Sequence, residues 1–347
     1  MTEQTPAHLV DIAALEAHIN LHVPGERGSL LVEKHTAGYS NETFYVSRGA
    51  ERWVMRRPPA GPLLPTAHDV AREYRYIAGL YGRARVPRPV LLCEDPSVIG
   101  APFYLMERTE GHVPRFELPP AYDTPDGRRR MGEEMVDALV EMHAVDWREA
   151  GLKGRESGYI QRQLDRWVSQ WRLTRPRTRD LPGLDAISAW LRAHVPPEQP
   201  HTVVHGDYKF DNVMYDHREP RLIAIFDWEM ATIGDPLADL GYLVNTWKNA
   251  APVPGYEDRP QIRTGITELE GFPSQPELVA RYEARSGRSM GDLLFYKALA
   301  AYKGIVIIEG LYMHYLEGSA ANPLTAEFEW RVPMQIAILQ RMIDQGE

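Results

Sequence analysis

The sequence has a single cysteine, Cys93, which excludes an intrachain disulfide and any cysteine-rich zinc site and agrees with a reducing compartment. It has no run approaching ~18 apolar residues, so it offers no membrane-spanning helix. Its first twenty residues, MTEQTPAHLVDIAALEAHIN, lack the basic segment that opens a signal peptide, and the expectation is a soluble cytoplasmic protein. Positive charge is not in excess: 39 Lys and Arg against 48 Asp and Glu give a net charge of −9, which makes no case for a nucleic-acid partner but leaves room for a local basic site. Three common fingerprints are absent. With no G-x-G-x-x-G, G-x-x-x-x-G-K-[ST] or H-E-x-x-H, simple dinucleotide-binding, P-loop and zincin readings fall away. What remains is globular in composition, 44% hydrophobic and 25% charged, without internal repeats. Its 347 residues suffice for two domains or lobes at ~150 residues each.

The pattern along the chain changes near residue 109. Before it, a helical segment at 10–22 precedes strand-like runs at 29–34, 43–47 and 52–56, separated by Gly38 and Gly49. A second helix at 68–80 and two more strands at 90–93 and 103–106 follow, which makes five strands in all. After residue 109 helices dominate. Segments 127–143 and 159–173 carry apolar stripes at i, i+4, i+7, namely Met131, Met135, Ala138, Leu139 and Met142, then Ile160, Leu164, Trp167 and Trp171, and such stripes read as core. Further helices are expected at 186–193, 277–285, 292–315 and 326–343. The one at 292–315 is apolar nearly all round and therefore central. Residues 249–276, rich in Pro and Gly, read as a long loop or short hairpin elements near a site. Between the helices lies an island of short strands at 202–204, 213–215 and 222–226.

The chemistry concentrates in that island. HGDYKFDN spans His205 to Asn212, and Asp227 follows Asn212 by fifteen residues, after the apolar run ending at Phe226. An aspartate, a lysine two residues on, a carboxamide five residues on and a second aspartate after a strand are what metal-dependent phosphoryl transfer needs. Asp207 would orient and deprotonate the attacking hydroxyl, Asn212 and Asp227 would give hard oxygen ligands to Mg²⁺ on the phosphates, and Lys209 would offset charge on the transferred group. A hairpin between Asp207 and Asp227 brings both to one end of the strand pair. Alone, each of these residues would read as an Asx turn; together, at this spacing, function outweighs that reading. His205 is assigned support of the Asp227 region, and Asp235 and Asp239 of GDPLADL are assigned to capping the helix at 237–244 and bracing the catalytic loop.

HGDYKFDN followed by FDWEMATIGDPLADL resembles the aminoglycoside phosphotransferase and choline kinase family, with its HGDxxxxN loop and its metal aspartate ahead of GDPxxDL. The stretches WVMRRPPAGPLLPTAHDVAREYR and DWEMATIGDPLADLGYLV more narrowly resemble the phosphotransferase domain fused to certain acyl-CoA dehydrogenases. The resemblance implies a protein-kinase-like two-lobe α+β fold. An N-terminal lobe of residues 1–108, an antiparallel sheet plus helix, would be joined by a hinge at 106–111 to a mostly helical C-terminal lobe of residues 109–347. ATP would lie between the lobes. The same resemblance places Gly38, Ser40 and Asn41 in the loop covering the nucleotide, and Arg56 where the family has its phosphate-binding lysine, with Glu73 as its partner. Val54 would lie above the adenine, with Met106, Glu107 and Thr109 at the hinge. Two departures stand out: an arginine fork replaces the lysine point charge, and the loop has one glycine where kinases have three.

The expected function is thus an ATP- and Mg²⁺-dependent phosphotransferase acting on a hydroxyl of a small molecule. Segments 159–175 and 246–263 would border the acceptor. They interleave Arg162, Arg166, Arg172, Lys248 and Arg263 with Trp167, Trp171, Trp247 and Tyr256, which suits a hydroxy acid or hydroxyacyl compound, an aminoglycoside being the second choice. Two readings of other classes compete. A silent nucleotide-binding module would not need Asp207, Asn212 and Asp227 together. A serine esterase through Ser289 in G-x-S-x-G needs a buried strand before the serine, where the sequence reads as helix.

Overall fold

The computed structural model describes residues 2–4, 10–35, 41–59, 69–115, 117–247, 255–257, 259, 265–319 and 323–346. In chain order the first part forms β1 (Thr2–Gln4), α1 (Ile12–His22), β2 (Leu31–His35), β3 (Glu42–Arg48), β4 (Glu51–Arg57), α2 (Val70–Leu80), β5 (Pro89–Cys93) and β6 (Phe103–Glu107). The strands make one antiparallel sheet in the order β1-β2-β3-β4-β6-β5. The sheet has six strands where the sequence reading gives five. The extra one, β1, has only three residues, too few to show an alternation. Gly49, at φ +57°, opens the two-residue β3–β4 turn, and Ala50 keeps negative φ, the type II′ pattern whose twist matches the strands.

Alternation along the strands gives the sheet two faces. Trp53, Met55, Phe103 and Leu105 point to one side, where they bury Leu15 and Ile19 of α1. Val54 and Met106, paired across β4 and β6, point to the other side with Tyr104, and these join the core of the helical part. Arg56, paired with Tyr104, shares that second face. There α2, capped by Asp69 accepting the Arg72 N–H at 2.9 Å, carries the buried Glu73.

The rest of the chain forms α3 (Pro125–His143), α4 (Tyr159–Thr174), α5 (Pro182–Ala193), β7 (Thr202–Val204), β8 (Val213–Tyr215), β9 (Leu222–Ile225), β10 (Thr232–Gly234), α6 (Leu237–Thr246), α7 (Gln275–Ser286), α8 (Leu293–Leu316) and α9 (Phe328–Gln345). The apolar stripes of α3 and α4 are buried as their spacing predicts. The long α8 packs against α4, α5, α6 and α9 and is the axis of this region. The strands form two antiparallel pairs, β8 with β9 and β7 with β10. β10, again three residues, is a second strand that the sequence does not announce. α7 starts inside the expected loop, at Gln275, fixed by a capping box of Ser274 and Glu277. It ends at Gly287 in the left-handed conformation, so Ser289 follows a helix and the strand required by a nucleophile elbow is missing.

Backbone contacts tie sheet to helices. His112 and Tyr215 exchange N–H···O bonds of 2.8 Å each, and the Ile225 N–H bonds the Arg85 carbonyl at 2.7 Å. Gly111 lies in the first crossing, where an added Cβ would stand 2.6 Å from the Tyr215 carbonyl and 2.5 Å from Met214 Cγ. Gly111→Ala should therefore lower stability by about 1–3 kcal/mol in urea unfolding. Gly291→Ala, in open space, should stay within about 0.5 kcal/mol, and equal effects would refute the close approach.

Candidate active site

The loop between β7 and β8 is held from beneath. Asp239, on the first turn of α6 and fully buried, accepts the backbone N–H groups of His205 at 2.6 Å and Gly206 at 2.7 Å. His143 of α3 stands 3.4 Å from the same carboxylate and 2.7 Å from the Tyr282 hydroxyl of α7. Burial works against ionisation of Asp239, but His143, His205 and the Gly206 N–H outweigh it and hold its carboxyl below the ordinary value. Gly206 adopts φ +82°, and a Cβ there would meet the Met230 carbonyl at 2.9 Å. His205 is buried; its Nδ1 accepts the Asp207 N–H at 3.2 Å, so Nε2 is the ring nitrogen that donates, to the Phe226 carbonyl at 2.7 Å. One imidazole thus links the residue before Asp227 to Asp207. Asp235 is also buried, accepting from the Leu237 and Gln199 N–H groups and the Tyr296 hydroxyl.

The Asp207 carboxylate is crowded with donors. Asn212 Nδ2 reaches Oδ2 at 2.7 Å and the Asp207 carbonyl at 2.8 Å, while Lys209 Nζ lies 3.1 Å from Oδ1 and 3.0 Å from Oδ2. The Tyr242 hydroxyl donates to Oδ1. Burial pushes the Asp207 carboxyl up, but Lys209, Lys303 and the Tyr242 hydrogen bond bring it below the usual range, so it is ionised at neutral pH. With its amide nitrogen turned to Asp207, Asn212 has its carbonyl oxygen free of hydrogen bonds among the described residues.

Across the cleft, Arg56 of β4 bridges two carboxylates. Its Nη1 lies 2.8 Å from Glu73 and 3.4 Å from Asp227 Oδ1. Burial pushes the Glu73 carboxyl up to about 7 against the pull of Arg56. An arginine does not deprotonate in a protein, so Arg56 is the fixed charge of the pair and Glu73 the sensitive partner. Asp227 has φ +65°, the sole positive value at a non-glycine among the described residues. Arg56 Nε is buried without a hydrogen-bond partner among the described residues.

Val54 and Met106 face each other across the sheet, and the Glu107 N–H bonds the Arg88 carbonyl at 2.8 Å. Thr109 follows, half-buried. Asn41 is buried with its amide 3.4 Å from Glu73, whereas Gly38 and Ser40 lie outside the described residues. Trp247, expected beside the acceptor, is instead a core residue, and Trp171, read both as part of a core stripe and beside the acceptor, takes the core place. Trp171 Nε1 bonds Asp185, and Trp247 stacks on Phe210 with its Nε1 on the Pro273 carbonyl. Lys248 and Arg263 lie outside the described residues. The sequence reading missed Tyr242 and Lys303. Tyr242 lies three residues after Asp239 on α6, a spacing that shares a helix face. Lys303 is one of two lysines in the largely apolar α8 and is buried there, and lysine is almost never buried without a reason.

A six-stranded antiparallel sheet, a helical region behind it, and aspartates and a basic pair meeting in the cleft between them define a kinase-like phosphotransferase fold. The chain belongs to the phosphotransferase enzyme family, whose model matches residues 32–284. It is 34% identical over 335 residues to acyl-CoA dehydrogenase family member 11 of Rattus norvegicus, an alignment covering 92% of this chain and 42% of that protein. The chain therefore spans less than half the length of that relative. Among solved structures, a Ralstonia eutropha protein assigned to the aminoglycoside phosphotransferases superposes with TM-score 0.81 at 32% identity, covering 97% of this chain and 99% of its own. The GDP complex of aminoglycoside 2'-phosphotransferase-IIIa shares the fold, with TM-score 0.59 at 15% identity over 91% of this chain and 93% of that one. Among the described residues, no helix is long and apolar enough to cross a membrane.

Asp239→Asn removes one acceptor from a loop that uses two, and should cost about 1.5–3 kcal/mol at pH 7 by urea unfolding. Because the folded-state pKa lies below the unfolded value of about 3.9, the wild-type advantage is present above that pH and is lost as pH falls through the folded value. A wild-type-minus-variant difference that grew on acidification would overturn this role.

Proposed function

We propose that the protein transfers the γ-phosphoryl group of ATP to a hydroxyl of a small molecule. The observation that carries this reading is the pair of aspartates, Asp207 and Asp227, at one end of the β8–β9 hairpin, the first ringed by Asn212, Lys209 and Tyr242 and the second facing Arg56. In this reading the lobes divide near residue 108, and the nucleotide lies between them with its adenine bordered by Val54, Met106 and the backbone of Glu107 and Thr109. The Arg56 Nε–H, without a partner among the described residues, is a donor suited to a phosphate oxygen.

Asn212 and Asp227 suit Mg²⁺. Both present hard oxygens, and among the described residues no cluster of three or more His, Cys, Asp or Glu side chains forms a self-sufficient metal cage. That composition fits an ion that keeps phosphates in its shell and takes only one or two protein ligands. When bound, Mg²⁺ would neutralise charge on the phosphates. The protein's own groups do the rest. Asp207 orients the acceptor hydroxyl and takes its proton as the hydroxyl oxygen bonds to the γ-phosphorus. The bond from that phosphorus to the bridging oxygen breaks, and ADP leaves with the electron pair. Lys209 follows the transferred group, while Asp239, Asp235 and His205 hold the loop.

The preferred acceptor is a hydroxy acid or hydroxyacyl compound, in keeping with relatives named as acyl-CoA dehydrogenases; an aminoglycoside is the second reading, favoured by the name of the Ralstonia eutropha neighbour. ADP release by purified protein with ATP, Mg²⁺ and a panel of hydroxy acids, hydroxyacyl thioesters, amino alcohols and aminoglycosides tests the activity. Asp207→Asn should keep the fold by circular dichroism and lose roughly 10²–10³ in kcat; near wild-type turnover would refute the assignment of the base.

Arg56→Ala should weaken nucleotide binding by about tenfold or more, the scale of one lost charge-assisted contact. Asp211→Ala, which removes a surface ion pair with Arg115, should leave it within about twofold. Equal losses in nucleotide titration would remove Arg56 from the phosphate site.

A further inference from the structure

Two consecutive peptide groups carry the chain into Asp207, and both are held. The first, between His205 and Gly206, gives its N–H to Asp239 at 2.7 Å. The second, between Gly206 and Asp207, gives its N–H to His205 Nδ1 at 3.2 Å, and its carbonyl accepts from the ammonium of Lys303 on α8. Because a peptide group moves as one plane, the tilt of this second plane sets the direction in which the Asp207 side chain leaves the backbone. Gly206, at φ +82° and without a Cβ, resists that tilt less than any other residue would. The bond from Lys303 therefore acts where the chain itself is most permissive.

Lys303 also reaches the Asp207 carboxylate by a second route. Its ammonium lies 5.2 Å from the Tyr242 ring, within cation–π range, and the hydroxyl of that ring donates to Asp207 Oδ1. One cation thus touches both the peptide that leads into Asp207 and the ring that holds its carboxylate. Tyr159, Gln163, Trp167 and Tyr296 close the walls around it, and the space they leave takes about one water molecule, so no acceptor binds there. The role of Lys303 lies in what it holds. It is 9% exposed, and burial lowers it to about 8 although Asp207 and Asp239 pull the other way, so at pH 7 it is mostly an ammonium. A neutral donor would satisfy a carbonyl; a charged one holds it roughly twice as strongly.

We propose that Lys303 is a positioning residue: by holding the Gly206 carbonyl and the Tyr242 ring together, it aims the Asp207 carboxylate at the acceptor hydroxyl. The proposal rests on the phosphotransferase reading above and adds how Asp207 is aimed, by a side chain that touches neither substrate.

The test compares the whole wild-type chain with Lys303→Met, Lys303→Arg, Tyr242→Phe and the double variant of Lys303→Met with Tyr242→Phe. Amide hydrogen exchange is measured without ligand; nucleotide affinity is measured with Mg²⁺ and a non-hydrolysable ATP analogue; kcat comes from ADP release with the acceptor panel above. Lys303→Met should speed exchange of the 205–212 amides roughly 10- to 100-fold, as for one lost charge-assisted bond, and leave β3 and β4 within about twofold. Its kcat should fall about tenfold or more while nucleotide affinity stays within about twofold, because a misaimed carboxylate slows the chemistry and not the binding. Lys303→Arg, which keeps the charge and a donor, should recover part of both losses. Tyr242→Phe should lower kcat to a similar extent, and the double variant little further, since independent effects would multiply. Exchange that rises uniformly along the chain, a kcat lost only in proportion to the folded fraction, or losses that multiply in the double variant would each overturn the proposal. Should Lys303→Met not fold, Lys303→Gln, a neutral donor of shorter reach, is judged by the same outcomes. A wild-type chain that releases no ADP with any acceptor, while the 205–212 amides alone respond to Lys303→Met, would sink the phosphotransferase reading and leave the clamp on the loop standing. Unchanged exchange and kcat in Lys303→Met, beside an active wild type, would do the reverse.

Discussion

The active loop depends on one buried carboxylate. Asp239 has no solvent to satisfy it, and the two N–H groups it accepts belong to the residues that precede Asp207. Neither partner is dispensable, because a buried donor or acceptor left alone costs about 1–3 kcal/mol. The loop therefore cannot lift away from α6 without stranding three polar groups. Through His143 and Tyr282 the same carboxylate is fixed by α3 and α7, so three helices determine where Asp207 sits. Gly206 supplies the backbone freedom that lets the chain turn at φ +82° directly after its N–H has been captured.

The opposite wall of the cleft rests on a charge held between two carboxylates. Arg56 meets Glu73 and Asp227, one from each part of the molecule. Arg72 reinforces this crossing by donating to the carbonyls of Glu229 and Ala231. Asp227 keeps a left-handed backbone that costs an L-residue roughly 1–2 kcal/mol, less for aspartate than for most. The strain is sustained by its surroundings: His205 holds the Phe226 carbonyl on one side, and the Arg72 contacts hold the segment beyond it.

What the sequence makes legible follows the range of the interactions involved. Asp207, Lys209 and Asn212 can be read because their contacts close within five residues, and Asp227 because a short hairpin returns it to them. The stripes of α3 and α4 are legible because helical periodicity is local. β1 and β10 are not, since three residues carry no period. Trp247, and Trp171 where it is also set beside the acceptor, show the opposite error. A tryptophan near arginines has the same local pattern whether it lines a site or fills the core, and only packing against Asp185 or Phe210 separates the two. Lys303 lies 96 residues after Asp207, and its nearness to that loop arises from α8 packing against α6, which no spacing rule encodes.

The crowding at Asp207 bears on how such a base would be activated. A carboxylate offers about four lone-pair sites, and here Asn212, Lys209 and Tyr242 already claim them. An acceptor hydroxyl can bond to Asp207 only where one of these donors withdraws. Asn212 is pinned by a second bond to the Asp207 carbonyl, and Tyr242 projects from a buried helix, whereas Lys209 has a half-buried side chain on a flexible stem. If Lys209 turns to the phosphates, as the proposed reaction requires, it frees a lone pair and removes the positive charge that contributes most to holding the Asp207 carboxyl low. Both effects make Asp207 a stronger base at the moment a phosphoryl donor is present. Residue 209 would then couple nucleotide arrival to proton removal.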